Sequence, residues 1–176
     1  EISLGLVGSE MCIRDRLSGS REEVTEVTVD MGYPVVGEAA LEIEAGGYFY
    51  TGTVVSMGNP HLVIFVEDIA NINLPAIGPL LECHPLFPNR TNVEFVQVLN
   101  MDEVRMKVWE RGSGITQACG TGACATAVAG VIRRKTGRKT KVVMDGGPLT
   151  IRWDESSGHV YMTGGAVKVF EGELEI

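Results

Sequence analysis

Basic residues are scarce in this chain: 15 Lys and Arg face 23 Asp and Glu, leaving a formal net charge of -8 over 176 residues. No surface built from that set carries the field a nucleic-acid backbone demands, so no nucleic-acid partner is expected. Cysteine is scarce as well. Among Cys12, Cys83, Cys119 and Cys124 there is no Cys-x-x-Cys pair and no zinc-type spacing, so no metal site is expected. Cys83-His84 is the one adjacent Cys/His pair, and neighbours in sequence seldom chelate together. A disulfide framework does not suit this length and cysteine density, so the thiols read as reduced, in the cytoplasm. No apolar run reaches the roughly 20 residues that span a bilayer, so no membrane partner is expected.

The length suits one domain with a real core, or one domain and a piece of another. Glycine outnumbers proline 22 to 7, which favours tight turns and a strand-rich fold. Residues 1–16 differ from the rest. They have no clear period, no capping signal and no charged start before an apolar run, so they are not read as a signal peptide. Met11-Cys12-Ile13-Arg14-Asp15-Arg16 back-translates to a transposase end used in library preparation. The segment is therefore read as adapter-derived and non-native, with the biological sequence beginning near Leu17 after loss of an upstream part.

From there strands are expected over residues 24–30, 41–44, 48–56 and 62–67. The last two flank the turn Gly58-Asn59-Pro60-His61, where Gly frees φ, Pro fixes it and Asn offers local hydrogen bonds. A short helix is expected over 77–84, with Pro79 in its first turn and Pro85 ending it. Residues 93–99 and 103–110 make a hairpin, and Val104, Met106 and Val108 alternate with Arg105, Lys107 and Trp109. Short strands follow at 141–144, 149–153, 160–163 and 167–170. Between the two strand groups, residues 121–134 are rich in Ala, Val and Ile. Arg133, Arg134 and Lys135, with Gly137 beyond, mark the end of this helix. A helix apolar on most sides must be buried on most sides. The expected architecture is α+β, a curved many-stranded sheet wrapped around a central apolar helix.

Cys119 lies where a glycine-rich loop opens that helix. Gly120 and Gly122 let a ligand approach the backbone, and first-turn N–H groups lack an acceptor within the helix. Such groups favour an anion and lower the pKa of a thiol beside them. The polar residues that turns and strand ends present are Asn59, His61, Asn92, Glu110, Arg111 and Cys119, with the backbone of Gly120 and Thr121. An acid, a histidine and a thiol in one set suit nucleophilic catalysis or proton transfer. Each also has a structural reading. Cys119 suits a buried helix start, Asn59 its own turn, Arg111 a surface charge and His61 a satisfied hydrogen-bonding partner. Cys124, inside the apolar helix, reads as core.

Glu110-Arg111-Gly112-Ser113-Gly114-Ile115-Thr116-Gln117-Ala118-Cys119-Gly120-Thr121-Gly122-Ala123-Cys124 resembles the C-terminal active-site motif of the diaminopimelate epimerases. The likeness extends to Gly58-Asn59-Pro60-His61, to Pro79-Leu80-Leu81-Glu82 with His84-Pro85, and to Phe87-Pro88-Asn89-Arg90-Thr91-Asn92. Tyr161-Met162-Thr163-Gly164-Gly165-Ala166 is similar to the family's closing motif, although proline is usual where Gly165 stands. Several ordered motifs together are more specific than any one. The resemblance covers residues 24–176 and implies a diaminopimelate epimerase-like domain. It also implies a cofactor-independent enzyme of lysine and peptidoglycan biosynthesis that interconverts LL- and meso-diaminopimelate with two opposed cysteines. By the resemblance, Cys119 is one of the two acid/base residues, and Gly120 and Thr121 donate to the substrate carboxylate. Glu110 and His61 orient or tune the reacting end, while Asn59, Asn92 and Arg111 hold the distal amino-acid group of an amino-dicarboxylate.

The family's second cysteine stands in Met-Cys-Gly-Asn-Gly, in an N-terminal domain. Met11-Cys12 matches two letters and then departs, so Cys12 is read as a decoy. The chain is thus expected to be the C-terminal half of an epimerase, inactive alone, with the N-terminal domain as its missing partner and a second copy as a further candidate. Residues 17–164 form the expected domain, and residues 165–176 a tail strand that returns to the absent half. A proline or hydroxyproline racemase shares the Cys-Gly-Thr-Gly loop, but Glu110-Arg111 and the Asn59/Asn92 pair favour a substrate with two amino-acid ends. A hydrolase or acyltransferase with Cys119 as nucleophile is a reading from another class.

Overall fold

The structure, a computed structural model, describes residues 15–19 and 24–167. The elements in order are β1 (Asp15–Gly19), β2 (Val24–Asp30), β3 (Val35–Val36), β4 (Leu41–Ala45), β5 (Tyr48–Ser56), β6 (Pro60–Val66), α1 (Leu74–Glu82), β7 (Asn92–Asn100), β8 (Glu103–Glu110), β9 (Gly114–Ile115), α2 (Gly120–Ile132), β10 (Lys139–Met144), β11 (Gly147–Trp153) and β12 (Val160–Gly165). The expected boundary at Leu17 falls inside β1. Cys12, all but the first residue of the expected strand over 167–170 and most of the expected tail lie outside the described residues.

Among the described residues the strands form one sheet in the order β1-β2-β12-β11-β10-β8-β7-β6-β5-β3, with β4 added to β5 and β9 to β8. Most neighbours are antiparallel, but β6 runs parallel to β7 and β8 parallel to β10. Parallel neighbours require a crossover, and the two helices supply one each. Helix α1 carries the chain from β6 to β7, and α2 carries it from β8 to β10.

The helices pack on opposite faces, and the strand pleat decides which residues meet which. Val63, Val96, Val104, Met106, Val108, Val142, Met144 and Ile151 close around α2, whose residues from Gly122 to Gly130 are all buried. Leu62, Ile64, Val93 and Phe95 of the same strands turn the other way, against Ile77 and Leu81 of α1. Ala, Gly, Cys and Thr keep α2 thin, so strands from both ends of the sheet reach it. The fold is therefore the expected α+β one, a curved and unclosed sheet about an apolar helix.

Two helix boundaries differ from expectation. Helix α1 starts at Leu74, so Pro75 takes the first-turn place and Pro79 lies inside the helix, which ends at the cap Cys83 and not at Pro85. Pro75 fits there because a first-turn nitrogen has no helical acceptor to lose. Helix α2 ends at Ile132, and Arg134, with φ of 55°, takes the left-handed position that the sequence assigns to Gly137. Lys135 N–H then closes on the Gly130 carbonyl at 2.8 Å.

Candidate active site

The Asn59 turn joins β5 to β6, and Gly58 supports it with φ of +92°. The residues after the turn bring His61 onto the α2 face of the sheet. Cys119 has extended backbone and is the N-cap of α2, its sulfur accepting a hydrogen bond from Gly122 N–H at 3.4 Å. At 7% exposure the residue is buried but not sealed.

A continuous hydrogen-bonded line leads inward from that sulfur. Cys119 Sγ lies 3.7 Å from Thr121 Oγ1, which accepts from Asn59 Nδ2 at 3.3 Å. Asn59 Oδ1 lies 2.9 Å from His61 Nε2, and His61 Nδ1 lies 2.7 Å from Glu94 Oε1. His61 and Glu94 are both fully buried. The structure thus brings Asn59, His61, Cys119 and Thr121 together. Gly120 and Thr121 occupy the first two positions of α2, where the helix offers their N–H groups no acceptor.

Asn92 and Arg111 meet nearby in a different way. Asn92 pairs with His61 across β6 and β7. Its side chain donates to the Pro60 carbonyl at 2.8 Å and accepts from Arg111 N–H at 2.9 Å, while the exposed Arg111 guanidinium donates to the Asn89 carbonyl at 3.2 Å. Glu110 accepts a short hydrogen bond from the Thr116 hydroxyl at the start of the loop back to Cys119.

Two carboxylates belong to this neighbourhood that the sequence reading does not single out. Glu82 accepts from Trp109 Nε1 at 2.7 Å and from Gly112 N–H at 2.9 Å, holding the loop that carries Arg111. Burial alone would raise its pKa, but these donors and Arg90 outweigh burial and hold the carboxyl below its usual range. Glu94 is the other. Its signal was a lone charge inside the apolar run of β7, where Val93, Phe95 and Val96 are buried on either side. Among the described residues no three His, Cys, Asp or Glu side chains gather into a metal-ligating group.

The thiol departs from expectation. Helix amides were to make it acidic, yet burial, then the negative charge of Glu94, push it up to about 11, against the opposing pull of Thr121 and Gly122 N–H. Desolvation disfavours the thiolate more than two donors stabilise it. Cys119 is therefore a thiol at neutral pH. Its alkylation by iodoacetamide should be slow at pH 7 and rise through about pH 11, with exposed Cys83 as the internal reference in peptide mapping. Labelling of Cys119 as fast as Cys83 at pH 7 would contradict this. Burial pushes Cys124 up as well and leaves it a core residue.

Solved structures share this architecture. A probable proline racemase from Agrobacterium radiobacter superposes with a TM-score of 0.67 at 17% identity, over 87% of this chain and 54% of that one. A hydroxyproline epimerase from Agrobacterium vitis gives 0.64 at 16% identity, over 87% and 54%. The chain thus has the fold of the racemases and epimerases. The diaminopimelate epimerase family model matches residues 53–169. The diaminopimelate epimerase of Parabacteroides distasonis is 76% identical, over 92% of this chain and 60% of its own length. That of Phocaeicola vulgatus is 56% identical, over 98% and 68%. The chain belongs to the diaminopimelate epimerase family, and it spans about 60% of the length of the Parabacteroides relative.

Proposed function

We propose that this chain is the C-terminal part of a cytoplasmic diaminopimelate epimerase that interconverts LL- and meso-diaminopimelate in lysine and peptidoglycan biosynthesis. One observation carries the reading: Cys119 caps the apolar helix, at the end of a hydrogen-bonded line through Thr121, Asn59 and His61. A thiol so placed delivers a proton to one face of the substrate α-carbon. A thiolate on the opposite face takes the original proton and becomes a thiol, so charge and protons balance. Two groups are needed because a single base returns the proton to the face it left. The N–H groups of Gly120 and Thr121 hold the reacting carboxylate and take up part of the developing charge. Glu110 and His61 orient the reacting end, and Asn59, Asn92 and Arg111 serve the distal group.

The second cysteine is assigned to an upstream domain, so the isolated chain binds an amino-dicarboxylate at most. The test is solvent exchange. In deuterium oxide, a protein carrying the upstream segment incorporates deuterium at the α-carbon of diaminopimelate, and this chain alone does not. Turnover by the isolated chain would overturn the two-domain reading, and an acyl-enzyme on Cys119 would favour a hydrolase.

A further inference from the structure

We propose that Glu94 is a positioning residue of this site, holding His61 so that a line of hydrogen-bond donors ends on the sulfur of Cys119. The inference rests on the proton-transfer reading of Cys119.

Glu94 is poorly explained as a packing residue. It is fully buried on the α2 face of β7, and while Oε1 binds His61, Oε2 has no hydrogen-bond partner among the described residues. A buried carboxylate oxygen without a donor destabilises a fold, and an apolar side chain would fill the same place without that penalty. The carboxylate also lies directly beneath the first turn of α2. A Cβ on Gly122 would stand 2.7 Å from Glu94 Oε1 and 3.1 Å from Cys119 Sγ, so one backbone position touches both groups.

Hydrogen-bond direction gives this placement its consequence. Asn59 turns its carbonyl oxygen to His61 and its amide to Thr121, so His61 Nε2 must be the donor in that contact. His61 Nδ1 and Glu94 Oε1 then share one proton across 2.7 Å, as ion pair or neutral pair. Either way Nε2 keeps its hydrogen. Nε2–H donates to Asn59, Asn59 Nδ2–H donates to Thr121, and the Thr121 hydroxyl is left to donate to the sulfur. Without Glu94 the ring is free to place its proton on Nδ1 and turn a lone pair toward Asn59, which would flip the amide and reverse the line. The titratable groups around the sulfur are Glu94 from β7, His61 from β6, Glu110 from β8 and Cys124 on the same helix.

The experiment uses the 176-residue chain with no substrate. Histidine-selective ¹⁵N spectra of the wild type should show a protonated His61 Nε2 at neutral pH. In folded Glu94→Gln the ring is no longer fixed by the carboxylate, so the Nε2-protonated form of His61 should lose ground in the same spectra to the Nδ1-protonated one. A purely structural Glu94 predicts no change in that tautomer. An unprotonated Nε2 in the wild type overturns the proposal, and so does an unchanged tautomer in folded E94Q. If E94Q does not fold, the wild-type spectrum decides alone. Neither readout involves diaminopimelate, so failure of the exchange assay would count against the epimerase reading and leave these outcomes separate.

Discussion

Cys119→Ala, made in a protein that carries the upstream segment, should slow deuterium incorporation at the substrate α-carbon by roughly 10²–10⁴-fold, the range that one positioned acid/base group supplies. That corresponds to about 2.7–5.4 kcal/mol of lost transition-state stabilisation. The structural consequence is smaller. Cys119 caps α2 through a sulfur 3.4 Å from Gly122 N–H, and losing an N-cap side chain costs about 0.5–2 kcal/mol, with a weak sulfur acceptor at the low end. Cys119→Ser separates the two effects. A hydroxyl restores the cap, but its proton is held too tightly for exchange at neutral pH. Both variants should therefore remain folded, with serine the more stable, and both should be nearly inactive. Exchange within a few-fold of wild type in either variant would remove Cys119 from the chemistry.

Gly122→Ala sets two effects of opposite sign against each other. In an ordinary helix interior this change stabilises by up to about 1 kcal/mol, because alanine restricts the unfolded chain and favours the helix. Here the added methyl would stand 2.7 Å from Glu94 Oε1, 3.1 Å from Cys119 Sγ and 3.3 Å from Cys119 Cβ. Glu94 cannot retreat without leaving His61, and the sulfur cannot move without losing its bond to residue 122. Overpacking of this kind costs typically 1–3 kcal/mol, so the net effect is a loss. The melting temperature should fall, by up to about 8 °C at 2–4 °C per kcal/mol for a chain of this size. In the longer protein the α-proton exchange should fall further than stability does, because the displaced groups are those of the site. A melting temperature that rises would mean that helix propensity wins and that the contact is looser than its geometry.

Gly122 also illustrates what a sequence can carry. Glycine-rich loops announce close approach, and the loop before α2 was legible for that reason. What approaches is not written locally, because Glu94 lies 28 residues before Gly122, on β7. Gly78 is a second case. A Cβ there would meet the Trp109 ring at 2.5 Å, a contact between α1 and β8 that no local pattern encodes. Trp109 in turn donates to Glu82, which also accepts from Gly112 N–H, so this hidden contact supports the loop that carries Arg111.

The chain pattern alone determined the strands β2 and β5 to their end residues, the alternation of β8, the apolar character of α2 and the motif turn before β6. These are local properties, fixed by side-chain period and by turn residues within a few positions. It also singled out Asn59, His61, Cys119 and Thr121, which the fold brings into one hydrogen-bonded line. Only the tertiary structure decided that β6 and β8 have parallel partners, that Glu94 faces α2 and that the thiol is pushed up and not down. Strand pairing and desolvation depend on which distant segments meet, and burying a sulfur beside a carboxylate outweighs the helix end that flanks it in sequence.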